Sequence, residues 1–368
     1  MNLAVIRRRL DPVGGGEHYA ANLIRALTAR GHRVTAVTEV APEGETPAAL
    51  VELGPGSGPP HRRLREFARR VAAWQGKADH DLVLSLERVP GGDVWRSGEG
   101  LHRAWLALRR RRESWLKTMT FAVNPLHRAH LDLERDLMAD PGLKRIVANS
   151  ELVARDLVRL YGVDSSRITV VPTGVDPDRI KVDDPATAAA EVRAELDLDG
   201  RPVLLFVGSG FKRKGLAWAL AALAAMDQPE AVLVVAGRDS LEPFQRLALR
   251  LGVADRVRLL GHRTDVGRLL AAADAFVLPT LYDPQSGACL EALAAGVPVV
   301  TTPQNGASDF IEGGVGGYIV SRPEDPARLA RALDDALKIG RVQVSVPTFE
   351  DHVDRLVGVL EEVSRARA

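Results

Sequence analysis

The sequence predicts an α/β protein made of two open, mostly parallel sheets in tandem, each covered by helices. Three observations carry this. The chain has 368 residues, more than one core of ordinary size accommodates. Apolar runs such as residues 202–208 (PVLLFVG) and 231–237 (AVLVVAG) are nearly continuous rather than alternating, as expected of strands buried on both faces. Glycines recur where such a run gives way to a helical pattern, at the edge where open sheets take up ligands.

Composition narrows the function classes. Lys plus Arg number 49 and Asp plus Glu 48, so nothing global points to nucleic acid and a cationic site has to be local. The single cysteine, Cys289, excludes a disulfide framework or a multi-thiolate metal centre and makes a reducing, cytoplasmic setting the expectation. The opening MNLAVIRRRL carries too short an apolar run for a signal peptide. No stretch approaches the roughly 18 apolar residues of a membrane span.

In the first half, residues 2–6 (NLAVI) read as a strand. The glycines Gly14, Gly15 and Gly16 then lead into a helix with Leu23 and Leu27 on its apolar face, and residues 34–37 begin a second strand. The consecutive glycines are not the dinucleotide fingerprint, so the loop is either an anion cradle or merely a flexible turn. Residues 41–62 read as an irregular connection, 63–77 as a helix and 82–86 as a strand. From that strand hangs the loop PGGDVW at 90–95, whose Asp93 is either an acid for an acceptor hydroxyl or a turn-forming residue.

The segment 101–119 places Leu101, Trp105, Leu108, Trp115 and Met119 on one helical stripe beside Arg109, Arg110, Arg111, Arg112 and Lys117. An anionic membrane surface suits such a helix; a core-packed helix with a solvated basic face is the competing account, and RNA a lesser one. Residues 143–149 form a strand, Ser150 caps a helix, and 170–171 close the series. The domain boundary falls at Pro172-Thr173-Gly174: domains 1–172 and 173–348, with 349–368 crossing back as a helix onto the first.

In the second half, the strand 202–208 ends in Ser209-Gly210-Phe211-Lys212-Arg213-Lys214-Gly215, two adjacent cations among glycines at a strand-to-helix turn. Further strands follow at 231–237, 257–260, 275–279, 299–302 and 317–320. After 275–279, Asp283 lies in a loop, Ser286-Gly287-Ala288 open a helix and Glu291 sits on its first turns. A helix start with free N–H groups suits a phosphate. Flanking acids can hold sugar hydroxyls on either side of it.

The order of motifs, ANSEL, VVPTGVD, FVGSGFKRKGL, GHRTDV and AFVLPTLYDPQSGACLEALAAGVPVVTT, resembles the retaining GT-B glycosyltransferases of family 4, most closely the lipopolysaccharide core glucosyltransferase I group. The resemblance covers about residues 4–340. It implies two Rossmann-like domains facing across a cleft and a nucleotide-sugar donor, UDP-glucose in the first instance, used without a metal or other cofactor. It further implies a glycan or glycolipid acceptor, no nucleic-acid partner, and a cytoplasmic protein peripheral on the inner membrane face. By the same resemblance Arg213 and Lys214 meet the leaving diphosphate, Asp283 the donor sugar and Glu291 the ribose. Gly14, Gly15, Gly208, Ser286, Gly287 and Ala288 line the phosphates, backbone at Arg263 frames the base, and Asp93 faces the acceptor. Two features depart from the group: the first acid is Asp rather than Glu, and the loop GGGEH differs. Rivals are a UDP-sugar 2-epimerase of the same fold and a sugar-nucleotide-binding protein without turnover.

Overall fold

The structure is a computed structural model that describes residues 1–10, 15–41, 48–75, 80–198 and 200–367. It divides into two compact units: Met1–Pro172 with Glu350–Ala368, and Thr173–Phe349.

The first unit is a seven-stranded parallel sheet. Its strands are β1 (Asn2–Ile6), β2 (Arg33–Thr38), β3 (Ala49–Glu52), β4 (Leu82–Ser85), β5 (Val94–Ser97), β6 (Arg145–Ala148) and β7 (Ile168–Val170), in the order β3-β2-β1-β4-β5-β6-β7. Order reverses between β1 and β4, and the carboxyl ends beside such a switch are where open sheets bind ligands. Two strands depart from the sequence expectation. β3 lies inside the stretch read as irregular. β5 begins inside the stretch 90–95 read as a loop, and all four of its residues are buried. Its Arg96 hides its charge by lying over the Tyr19 ring, 3.7 Å from the centroid.

The last helix, Phe349–Arg367, buries Val353, Leu356, Leu360 and Val363 at helical spacing, the apolar stripe that seats it on the first unit. His352 is fully buried within it. Burial pushes its pKa down to about 3, so the ring is neutral. Nδ1–H therefore donates to the Pro172 carbonyl at 2.7 Å and Nε2 accepts from the Tyr19 hydroxyl at 2.7 Å. Arg30 adds ion pairs to Glu350 and Asp354, and Arg145 one to Glu362.

The second unit is a six-stranded parallel sheet of β8 (Val203–Val207), β9 (Val232–Ala236), β10 (Val257–Gly261), β11 (Ala275–Leu278), β12 (Val299–Thr301) and β13 (Gly317–Ile319). Their order is β10-β9-β8-β11-β12-β13. Here the switch falls between β8 and β11, the two strands whose following turns carry the cations and the acids.

The basic segment is not one helix. His102–Arg110 and Trp115–Val123 are separate helices. The first ends at Arg110, within the run of four arginines at 109–112, and the second starts after Ser114. Leu101, Ala104 and Leu106 are buried, whereas Trp115, Leu116, Met119 and Val123 are each more than 60% exposed. The apolar stripe expected across 101–119, interrupted at Arg112, thus splits into a core half and an exposed half. Among the described residues no helix is long and apolar enough to cross a membrane.

Candidate functional site

The turn after β8 is shaped by close approach. Gly208 has φ +144, and a Cβ there would stand 2.8 Å from Cδ and Cε of Lys214. Only glycine leaves the lysine stem room to fold back over the strand end. A Cβ on Gly215 (φ +83) would meet the Pro279 carbonyl oxygen at 2.2 Å, so the turns after β8 and β11 touch backbone to backbone. They are also hydrogen-bonded: the Arg213 carbonyl accepts from Leu281 N–H at 2.8 Å and from the Thr280 hydroxyl at 3.1 Å.

Into this seam the charges converge. Lys214 Nζ donates to Asp283 Oδ2 at 2.9 Å, and Arg213 Nη1 lies 3.4 Å from the same oxygen while donating to the Tyr282 carbonyl at 2.7 Å. Asp283 is 6% exposed. Burial alone would raise its pKa, but Lys214 and Arg213 outweigh it, and the carboxyl titrates below the ordinary aspartate range. Its backbone is fixed as well, donating to the Gln304 carbonyl and accepting from Gly306 N–H.

Three residues on, Ser286 caps the helix Gly287–Ala294, its hydroxyl accepting from Cys289 N–H. Asn305, fully buried, accepts from Ser286 N–H and braces Cys289 Sγ and Thr301 Oγ1. The N–H groups of Gly287 and Ala288 lie in the first helical turn, where no intrahelical acceptor exists. Gly287 has open space where a Cβ would be. Glu291 is 9% exposed on the same helix. Burial pushes its carboxyl upward, with Arg179 and Lys214 pulling back and Asp176 adding to the rise. Arg179 Nε lies 3.1 Å from Glu291 Oε1.

The structure thus joins Arg213, Lys214, Asp283, Ser286, Gly287, Ala288, Glu291 and Gly208 at one edge of one sheet. Arg263 follows β10 at the same edge. Its guanidinium is spent on Asp265, bidentate at 2.7 and 2.8 Å, and on Glu195 at 2.7 Å. Gly14 lies outside the described residues, and Gly15 is the first residue of the helix Gly15–Ala29.

Asp93 is a correction. It precedes β5, and its Oδ2 accepts from Val83 N–H at 2.8 Å while its own N–H and carbonyl bond to Val83 and to Lys144 and Arg145. It knits β4, β5 and β6 at their amino edge, opposite the edge where ligands enter. At the carboxyl edge stand further charged residues. Arg7 after β1 reaches Glu87 after β4 at 3.4 Å and Glu99 after β5 at 3.3 Å, and Arg88 reaches Glu99 at 3.3 Å. Burial raises the Glu87 carboxyl. The same desolvation acts on Glu99, but Arg88 and Arg7 overcome it and hold that carboxyl low. The signal was available: each of these residues lies within three positions of the carboxyl end of β1, β4 or β5.

His102 lies behind this row with His127 and His130, His102 Nε2 being 3.0 Å from His127 Nδ1. Burial and mutual repulsion push His102 to about 3, while burial and Arg88 push His130 to about 4. Both are neutral near pH 7. Among the described residues no group of three or more histidine, cysteine or acidic side chains is arranged to hold a metal ion.

Known proteins match this arrangement over both units. The family described as Glycosyltransferase Family 4 matches residues 13–179, and Glycosyl transferases group 1 matches residues 201–338. A D-inositol 3-phosphate glycosyltransferase of Streptomyces scabiei is 30% identical over 88% of this chain and 78% of its own. The chain belongs to glycosyltransferase family 4. A second family member, the lipopolysaccharide glucosyltransferase WaaG of Escherichia coli, is 27% identical over 89% of this chain and 87% of its own. The crystal structure of WaaG superposes with a TM-score of 0.76 at 26% identity, covering 91% of this chain and 90% of that one. The two parallel sheets are accordingly the two Rossmann-like domains of the GT-B fold.

Proposed function

We propose that this glycosyltransferase moves a hexose, glucose from UDP-glucose in the first instance, to a hydroxyl of a glycan or glycolipid with retention of anomeric configuration. One observation supports this most: Lys214 and Arg213 converge on Asp283 beside the free N–H groups of Gly287 and Ala288. As the bond from C1 of the sugar to phosphate breaks, its electron pair moves onto the diphosphate. Fixed cations and a helix start aimed there stabilise that developing charge more than the ground state. The acceptor oxygen bonds to C1 on the face the phosphate leaves, and its proton passes to the departing oxygen. Asp283 Oδ1, which accepts no hydrogen bond from the described residues, takes the hydroxyls of the transferred sugar. Glu291 takes those of the ribose, and Glu99 takes the acceptor-facing role that Asp93 cannot. The protein's own cations supply the positive charge, so activity is expected to survive a chelator.

The acceptor side has its own support. Trp115, Leu116, Met119 and Val123 form an exposed apolar face bordered by exposed Arg110, Arg111, Arg112 and Lys117, the pairing that seats a helix on anionic lipid. A glycolipid acceptor at a membrane surface fits it, and the WaaG relative is named a lipopolysaccharide glucosyltransferase. The inositol phosphate relatives favour a small phosphorylated polyol as the second reading. Incubation with UDP-glucose and either a lipopolysaccharide inner core or D-inositol 3-phosphate distinguishes them. An α-linked glucoside with release of UDP is expected, whereas an epimerised sugar or no UDP release in either mixture overturns the transferase reading. Co-sedimentation with phosphatidylglycerol vesicles is expected to weaken with salt and to be lost in W115S/M119S; salt-independent retention by that variant removes the membrane assignment.

A further inference from the structure

Glu291 does not stand alone. The segment 175–180 is pinned at both ends: Val175 N–H donates to the Pro347 carbonyl and its own carbonyl accepts from Phe349 N–H. At the other end Ile180 packs so closely on Gly267 that a Cβ there would stand 2.8 Å from the Ile180 carbonyl oxygen. Between these anchors Asp176 caps the short turn Pro177–Arg179, and Arg179 leans from it to the buried Glu291 carboxylate at 3.1 Å. The arginine is itself half-exposed, so it has no need of this partner, whereas the enclosed carboxylate has every need of a cation.

We propose that Arg179 is a positioning residue of the donor site, holding the Glu291 carboxylate in the orientation in which it meets the hydroxyls of the sugar nucleotide. This rests on the donor reading above and adds a residue to it. The Arg179 guanidinium forms an ion pair with Oε1 at 3.1 Å, so its charge sits against that oxygen and Oε2 is left for a ligand. The charged groups acting on Glu291 are Arg179 and Asp176 from this segment and Lys214 from the turn after β8. With Arg179 removed, burial and Asp176 drive the carboxyl further upward, and only Lys214 opposes them.

The test is calorimetric titration of UDP-glucose into the native protein, R179Q and R179K across pH. Ligand hydroxyls bind the ionised carboxylate, so affinity falls as pH drops through the carboxyl's pKa. In R179Q that fall is expected about one unit higher, making binding about tenfold weaker relative to the native protein at the acid end than at the alkaline end. R179K, which keeps the charge, is expected to retain the native profile. In an E291Q background R179Q is expected to leave the profile unchanged. Parallel profiles for native and R179Q, even with a uniform loss of affinity, overturn the proposal, because a merely structural role or direct phosphate contact would give that pattern. Absence of UDP-glucose binding by the native protein is a different failure and overturns the donor reading itself.

Discussion

The carboxyl edges of the two sheets hold their charge in different ways. At the β8–β11 edge it is set by backbone: Lys214 folds over Gly208, Arg213 is sewn through its carbonyl to the neighbouring turn, and Asp283 is pinned on both sides. At the β1–β4 edge the side chains hold one another, Arg7 bridging Glu87 and Glu99 while Arg88 flanks them. A backbone-built site tolerates few substitutions without moving strands. A row of mutually paired side chains can be re-cut residue by residue. The first suits a leaving diphosphate, whose charge is the same whatever the acceptor; the second suits an acceptor that varies.

The largest test of that contrast is Asp283→Ala. Removing it leaves Lys214 enclosed without its counter-charge, a loss on the order of 3–5 kcal/mol for a buried pair. The pH dependence has a definite sign. The folded pKa of Asp283 lies below its unfolded value of about 3.9, so its stabilisation is fully present above that value and is lost as pH falls through the depressed one. Urea unfolding is expected to show a large deficit at neutral pH and a much smaller one in strong acid. An equal deficit at both would mean that packing, not charge, is what Asp283 supplies.

Next in size come Lys214→Ala and Glu99→Gln, one from each edge. Loss of a preorganised charge on the leaving group is expected to lower kcat by about 10²–10³, with the same factor for every acceptor tried. Glu99→Gln is expected to cost on the order of 10²-fold, and by an amount that changes with the acceptor. If both variants show acceptor-independent losses, the division of labour between the edges fails.

The two edges were also unequally legible. The β8–β11 site is written in contiguous signals: apolar run, glycine turn, paired cations, helix start and acids at fixed spacing. The other edge is not. Gly91-Gly92-Asp93 imitates a turn, and β5 carries Arg96 and Ser97 inside a fully buried strand, so pattern reading took the start of the strand for a loop and left the acid before it as either an acceptor contact or a turn residue. The polarity of β5 makes sense only once Tyr19 is known to cover Arg96. Arg179 and Glu291 meet through topology alone. The apolar stripe of 101–119 was right in composition, but periodicity did not show the helix break at 111–114. The core-packed account describes the side before Ser114, and the apolar side chains after it are exposed.

The smallest effect expected is also the most diagnostic, because it runs opposite to Asp283. The Glu291 carboxyl is raised by burial, so its ionisation opposes folding. Relative to a neutral side chain, the free protein becomes less stable as pH rises from the unfolded value near 4.3 through the folded pKa. Glu291→Gln is therefore expected to raise the stability of the ligand-free protein at neutral pH by about 1 kcal/mol, the scale of other stabilising changes at functional sites. It is also expected to weaken donor binding by about 1.5–3 kcal/mol through the lost charge-assisted contact. Thermal unfolding with and without UDP-glucose reads both at once: the variant melts higher alone and lower with ligand. A variant less stable in both conditions would show that Arg179 and Lys214 already compensate the buried charge in full, and that the site carries no strain for a ligand to relieve.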